Sequence, residues 1–485
     1  MQEMDSLKKS TFGGVIWKFM ERVCAQVVSL VVTIILARLL LPEDYSVVSI
    51  VTIFFAFCNV IISGGLNTAL IQKKNADMKD YSTVFYVSLF LALILYGVMF
   101  FSAPFIANLY NQELLIPVIR VMSLTFFINA VKSVLSAYIS GSMQFKKFFF
   151  STIIGTVISA FIGIYMAFKG FGPWALVAQQ MSNSLIDTLV LFITTKFKLS
   201  LTFSFKRLKE LFKYGSKIFV TSIITVLYDE ISPLIVGLKF SSSDLAFYNK
   251  GKSFPGLLNS TISDTLAAVL FPAMSKVQDQ KEAVLSITRR YIKISSFVVF
   301  PLMAGFLAVA DSFVTVLLTE KWAMAVPYVQ IFAASYMFNI IQVGNLQAIK
   351  AIGRSDITLV LEIIKKSAYF IIIAIFVFFS HSPEILALSG IVCTLIATMI
   401  NTYPNRKLIG YKYRYQLMDL LPNFINTILM CIAVFLIGMV NIDPLLKLII
   451  QVVIGFVVYF ILSIITKNEN LKYLLDLTKN FLKKA

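Results

Sequence analysis

The chain is a ladder of long apolar runs joined by short connectors, and Lys or Arg fills every second connector while the others are nearly bare. Lys8 and Lys9 precede the first run, and Lys73, Lys74 and Lys79 follow the second. Lys146 and Lys147 follow the fourth, and Lys196, Lys198, Lys206, Arg207 and Lys209 the sixth. The same side continues through Lys276, Lys281, Lys350, Arg354, Arg406, Lys407, Lys412 and Arg414 to a lysine-rich tail. The alternate connectors hold Glu43, Asp44, Glu113, Asp244, Glu320, Glu384 and Asp443, with Lys169, Lys239 and Lys321 as stray cations. This is the positive-inside rule repeated down the chain, and it predicts a polytopic membrane protein with both termini in the cytoplasm.

A spanning helix needs about 20 mostly apolar residues. The sequence supplies 14 candidates, centred near residues 27, 55, 93, 128, 158, 184, 225, 263, 303, 337, 370, 393, 430 and 455. A barrel would show alternating strands of about ten residues instead, so the expected class is all-α. The eighth span, Leu257 to Met274, is the weakest, since it carries Asn259, Asp264 and Pro272; charge alternation argues for keeping it.

Composition closes off other classes. Charged residues make up 14% and hydrophobic ones 58%, where a soluble domain would be about a quarter charged. The formal charge of +18 is accounted for by connectors facing anionic lipid heads, so no nucleic-acid partner is expected. Cys24, Cys58, Cys393 and Cys431 all fall inside apolar runs without close spacing, which predicts neither disulfides nor a metal site. The first apolar stretch runs to Leu41, too long for a signal-peptide core and with charges inside it. No Walker-type GxxxxGK[ST] segment is present, and no cofactor is expected.

The chain also repeats itself. Pro117 and Asn129 recur as Pro327 and Asn339, and Pro173 and Leu176 as Pro383 and Leu386, all at an offset of 210 residues. Leu40 and Asp44 meet Phe240 and Asp244 at an offset of 200. Two parallel six-helix halves follow, each entered from the cytoplasm. The expected division is 1–200 for the first lobe, 201–405 for the second with an amphipathic linker at its start, 406–466 for two extra helices, and 467–485 for a basic amphipathic tail on the inner leaflet.

Charges inside the runs mark the candidate site. Lys18, Arg22, Gln26, Ser29 and Thr33 follow a spacing of four, four, three and four, which puts them on one helical face with Glu21 beside it. A lone charge at mid-bilayer costs about 2.5–3.5 kcal/mol on insertion scales, so the stripe should face protein or water. Snorkelling of Lys18 and Arg22 to the head groups, paired by Glu21, is the plainer alternative. In the seventh span Ser222, Thr225, Asp229 and Ser232 share a face. Desolvation of Asp229 would raise its pKa and make it a candidate proton or cation site; solvation at the outer interface is the alternative. Asn129 and Lys132 in the fourth span, Asn339 and Gln342 in the tenth, and Asp264 in the eighth complete the polar intrusions of interest.

The segments ILARLLLPEDYSVVSIV (35–51), LIQKKNADMKDYSTVFY (70–86), YNQELLIPVIRVMS (110–123), GFGPWALVAQQ (170–180), LLTEKWAMAVPYVQI (317–331) and AIGRSDITLVLEIIKK (351–366) resemble bacterial polysaccharide-biosynthesis flippases of the multidrug/oligosaccharidyl-lipid/polysaccharide (MOP) superfamily. The resemblance implies a MATE-like fold, two six-helix lobes around a central cavity plus two helices, working by alternating access in the bacterial inner membrane. It also implies an undecaprenyl-diphosphate-linked oligosaccharide as substrate, and a polysaccharide polymerase and chain-length regulator as pathway neighbours. A monomer is expected. Lys18, Arg22 and Lys132 would hold the diphosphate; Gln26, Asn129, Asn339 and Gln342 would bind sugars; Glu21, Asp229 or Asp264 would couple an ion. A cation-coupled multidrug antiporter of the same superfamily is the alternative, and it would want acidic groups in the cavity. An enzyme is not expected, since outer connectors are only about 5 to 12 residues long and the single histidine, His381, has no partner motif.

Overall fold

We describe a computed structural model covering residues 2–73, 76–195, 197, 200 and 202–482; side chains are described except at 2–16, 19, 264–269, 271–272, 355, 474 and 477–482. The described residues are helical between short connectors, with no strand among them. The first helices are α1 (Gln2–Leu39), α2 (Pro42–Ser63), α3 (Leu66–Gln72), α4 (Met78–Leu109), α5 (Leu115–Met122), α6 (Thr125–Gly141), α7 (Lys146–Phe168), α8 (Pro173–Thr195), α9 (Phe205–Lys239) and α10 (Ser242–Ser275). They continue as α11 (Lys281–Ala308), α12 (Ala310–Leu318), α13 (Val326–Met337), α14 (Asn339–Ala351), α15 (Ser355–Phe379), α16 (Pro383–Thr402), α17 (Asn405–Leu408), α18 (Tyr413–Gly438), α19 (Pro444–Ile465) and α20 (Glu469–Leu482).

The solvent these helices are built for shows in α18. It buries Gln416, Asp419, Asn423, Asn426 and Thr427 while exposing Leu417, Met418, Leu421, Ile425, Ile428 and Ile432. That is the reverse of a water-soluble amphipathic helix, and it follows when hydrocarbon is outside and polar groups must find partners inside. Among the described residues, 12 helices are long and apolar enough to cross a membrane. Helices α10 and α15 cover the eighth and eleventh expected spans with 34 and 25 residues but are not among those 12. Helix α15 is strongly apolar but holds the charges of Glu362, Lys365 and Lys366 within its length.

The internal repeat is visible as reused local chemistry. The Asp44 carboxylate accepts from the Leu41 N–H at 2.9 Å to open α2, and Asp244 accepts from the Ser241 N–H at 3.0 Å to open α10. Inside the helices, Asn129 donates to Asn59 at 3.0 Å, and Asn339 donates to Asn259 at 3.0 Å. Each Asn pair ties the second helix of its half to the fourth.

Contacts divide the chain into two compact units, Met1–Ala246 and Phe247–Ala485. Helix α9, which the repeat assigns to the second half, packs on α2, α3 and α4 of the first unit. Gly65 makes this possible: its φ is +69°, and a Cβ there would stand 2.2 Å from the Gly215 carbonyl oxygen of α9. The stretch before α9 is strapped to the start of α4. The Ser200 N–H donates to Ser82 Oγ at 3.0 Å, and Arg207 reaches both Asp77 and the buried Asp80, which also pairs with Lys73 at 2.7 Å. Burial works against the Asp77 carboxylate, yet the Arg207 guanidinium and the Asp80 N–H hold its pKa below the ordinary carboxylate value.

In the second unit, Asp419 plays the comparable part for α11 and α18. Arg289 donates to it twice at 2.7 Å, and Tyr411 donates at 2.8 Å. Helix α20 begins where Asn468 donates to Asn423 at 2.8 Å, and its Leu471 packs on the Phe297, Val434 and Tyr459 cluster.

Candidate functional site

The site is built from α1, α7 and α8 of the first unit. Helix α7 carries Ser151, Gly155, Ser159, Gly163 and Ala167 at a spacing of four, and all five are buried. Such a stripe of small residues lets a neighbouring backbone come close. A Cβ on Gly163 would lie 2.7 Å from the Cβ of Gln179, and one on Gly155 would lie 3.1 Å from the Oδ1 of Asn183. The α8 residues facing α7 are therefore Ala175, Gln179, Asn183 and Asp187, again at a spacing of four.

On its other side α7 packs against α1. Trp17 meets Phe149 edge-to-face at 5.2 Å, and the Lys18 ammonium lies 4.6 Å from the Phe148 ring centroid. These aromatic contacts set the rotation of α1, so its polar stripe turns toward α7 and α8. A cavity of about 510 Å³ results. Lys18, Glu21, Arg22, Gln26 and Ser29 line it from α1, Thr156 from α7, and Gln179 and Asn183 from α8.

Lys18 pairs with Glu21 at 2.7 Å, and Thr152 donates to the other Glu21 oxygen at 3.2 Å. The Lys18 side chain keeps 54% of its surface exposed and Glu21 only 12%, so the carboxylate is held while the ammonium remains reachable. Lys18 and Arg22 against Glu21 leave the lining with a formal charge of +1. Among the described residues no three His, Cys, Asp or Glu side chains converge in a way that could hold a metal ion.

The structure thus brings Lys18, Glu21, Arg22 and Gln26 to one wall. Lys132 has a partner that sequence reasoning missed: its ammonium pairs with Asp187 of α8 at 2.6 Å. Asp187 is buried, its second oxygen has no hydrogen-bond partner, and it sits one helical turn beyond Asn183. Asn129 and Asn339 are engaged in the two interhelical Asn pairs, and Gln342 donates to the Thr394 carbonyl at 3.3 Å and accepts from Asn401 at 3.3 Å. Asp229 is exposed on α9 and does not line the cavity. The Asp264 side chain lies outside the described residues. Thr156, Gln179, Asn183 and Asp187 were absent from the sequence-derived site. Their signal was there, in the paired stripes SxxxGxxxSxxxGxxxA and QxxxNxxxD of two consecutive runs.

A family model described as "Polysaccharide biosynthesis protein" matches residues 35–327, more than half of the chain. The chain belongs to that family. Among curated relatives of this family member, the teichuronic acid biosynthesis protein TuaB of Bacillus subtilis is 22% identical, over 73% of this chain and 74% of its own. The lipopolysaccharide biosynthesis protein WzxC of Escherichia coli is 22% identical over 87% of this chain and 86% of its own. Among solved structures, the lipid II flippase MurJ in an inward closed conformation superposes with a TM-score of 0.76 at 15% identity, covering 94% of this chain and 99% of that one. An inward-facing multidrug resistance MATE transporter of the MOP superfamily gives 0.61 at 16% identity, covering 80% and 94%. The fold is therefore the one that MurJ and the MATE transporter share, and the chain is a multi-pass membrane protein of the polysaccharide-biosynthesis family. A further relative, the succinoglycan biosynthesis transport protein ExoT of Rhizobium meliloti, is 24% identical over 62% of this chain and 61% of its own.

Proposed function

We propose that this protein flips an undecaprenyl-diphosphate-linked oligosaccharide repeat unit from the inner to the outer leaflet of the bacterial cytoplasmic membrane by alternating access. Both termini lie in the cytoplasm in this reading, as the basic connectors require. The observation that carries it is a cation-bearing polar cavity inside a unit whose outer surface is apolar.

A diphosphate cannot cross hydrocarbon unaided, because an uncompensated charge there costs many kcal/mol. Lys18 and Arg22 supply charge-assisted donors to its oxygens. Lys18 is already half-exposed, so an arriving diphosphate competes with Glu21 for it, while Thr152 keeps Glu21 in place. Glu21, released in this way from its ammonium, is the group we assign to ion coupling. Gln26, Gln179 and Asn183 carry the amide donors and acceptors that sugar hydroxyls need. The lipid tail stays in the bilayer throughout. A cation exporter would stabilise its cargo with net negative charge; the +1 lining opposes that use.

The test is lipid analysis of a deletion strain. We expect undecaprenyl-diphosphate oligosaccharide to accumulate on the cytoplasmic leaflet and the surface glycan to disappear. A normal lipid-linked pool with altered drug sensitivity would instead make the chain an antiporter.

A further inference from the structure

A second cavity of about 540 Å³ lies elsewhere in the first unit, where α9 crosses α2, α3 and α4. Its walls are apolar, built from Leu66, Val87 and Leu91 on one side and Phe205, Phe212 and Phe219 of α9 on the other. The volume is in the range that encloses a drug-sized apolar ligand and suits a stretch of one hydrocarbon chain. The one charged side chain lining it is Lys209.

Lys209 belongs to a row. Lys206, Lys209, Lys213 and Lys217 stand at i, i+3, i+7 and i+11 on α9, which places them on one face. All four are exposed, and among the described residues none is paired with a carboxylate. Glu210 is the single acid between residues 205 and 217. Arg207, the remaining cation of the segment, is turned away to Asp77 and Asp80. A lysine row alone would be a topology signal, and an apolar slot alone would be ordinary lipid-facing surface. Side by side they match an amphiphile with a hydrocarbon chain and an anionic head.

We propose that this slot binds an anionic phospholipid, one acyl chain between Phe212, Phe219 and Leu91 and its phosphate against Lys209 and Lys213. Lysines close to an anionic membrane surface each add to such an attraction, which weakens with salt. The chain would bridge α9 to α2–α4 beside the tight Gly65–Gly215 contact, so occupancy holds α9 on the first unit. The inference needs the chain to be a membrane protein but does not depend on the flippase reading.

The experiment is thermal unfolding and native mass spectrometry of the purified full-length protein in neutral detergent. Phosphatidylglycerol and phosphatidylcholine with identical chains are titrated in turn. We expect phosphatidylglycerol to bind about tenfold tighter or more at low salt, and this preference to fall within about twofold in high salt. The quadruple substitution of Lys206, Lys209, Lys213 and Lys217 by Gln should erase the preference in the same way. Val87→Trp, which fills the slot, should weaken binding of both lipids about tenfold. Equal binding of the two lipids by the wild type would overturn the proposal, as would a preference untouched by salt, which decides the matter even if the quadruple variant does not fold. Displacement of phosphatidylglycerol by undecaprenyl diphosphate at equal concentration would also overturn it, by making the transported lipid the occupant.

Discussion

The cavity between α1, α7 and α8 and the polar cluster between α14, α16 and α18 use the same residue types to opposite ends. In the second unit, Asn345 donates to Gln416 at 3.1 Å and Gln416 donates back to Asn345 at 3.1 Å; Asn405 adds a bond to Asn345 at 2.8 Å. Asn345, Thr402, Asn405 and Gln416 are all buried, so the amides bond one another in place of water, with the Asn405 Oδ1 left over. In the first unit, Gln26, Gln179 and Asn183 are half-buried around an open volume with two cations and one carboxylate. A polar residue in a spanning helix is therefore adhesive where its partners are reciprocal and buried, and a ligand contact where it faces space. Type and spacing alone do not distinguish the two.

That contrast can be broken at several points, beginning with the Lys132–Asp187 pair, which stands between the two cases. Lys132→Gln strands a buried carboxylate, and breaking such a pair costs about 3–5 kcal/mol, less here because Lys132 is 37% exposed. We expect a large fall in the thermal midpoint in detergent, with Lys132→Gln/Asp187→Asn recovering most of it. Equal losses in the single and double variants would show that the pair carries no coupling. Next comes Asn345→Ala, which leaves the buried Gln416 Nε2 without its acceptor and removes one of the two acceptors of Asn405 Nδ2. At about 1–3 kcal/mol per unsatisfied buried group, it should lower protein level and thermal stability together, while Asn183→Ala, at the cavity wall, leaves both unchanged. If Asn183→Ala destabilises as much, the distinction between adhesive and ligand contact fails.

The two Asn pairs give a smaller effect. Interhelical hydrogen bonds in membranes average about 0.6 kcal/mol, so Asn129→Ala and Asn339→Ala should each cost about that much. Their similarity is the point: unfolding of the two variants in detergent should shift by matching amounts, and a loss confined to one would mean that the repeat is geometric but not energetic. Smallest of all is Asp77. Its folded pKa lies below the ordinary value, so its contribution is fully present above the unfolded carboxylate pKa and is lost as pH falls through the folded one. Asp77→Asn should flatten that acid limb by lowering stability near neutrality, while leaving it unchanged below the folded pKa; the loss is small, as expected for a half-exposed group.

The legible and illegible parts of this chain divide along the same physical line. Apolar runs and connector charges carry the all-helical membrane fold, because hydrocarbon admits only helices or closed barrels and these runs do not alternate as barrel strands do. Offsets of 200 and 210 residues carried the duplication, and the structure shows what was duplicated: the Asp44 and Asp244 helix starts and the Asn59–Asn129 and Asn259–Asn339 bonds. The α1 stripe was legible too, because a charge inside a run demands a wet or paired surrounding. Its opposite wall was not read. Gln179 and Asn183 look like any half-polar helix until the small residues of α7 bring them close. Nor does any local pattern join Lys132 to Asp187, 55 residues apart in sequence. Lys73 and Arg207 count toward topology, yet they also neutralise the buried Asp80, as Arg289 does the buried Asp419. The positive-inside count and the packing role coexist in one side chain.

The central claim is that Lys18 and Arg22 hold the anionic head of the cargo. It is tested most directly by complementing a deletion strain with Lys18→Gln/Arg22→Gln and measuring surface glycan and the leaflet distribution of the lipid-linked oligosaccharide. With membrane protein at the wild-type level, the account predicts glycan falling about tenfold or more and the lipid-linked intermediate trapped on the cytoplasmic side. Wild-type export by that variant would contradict it.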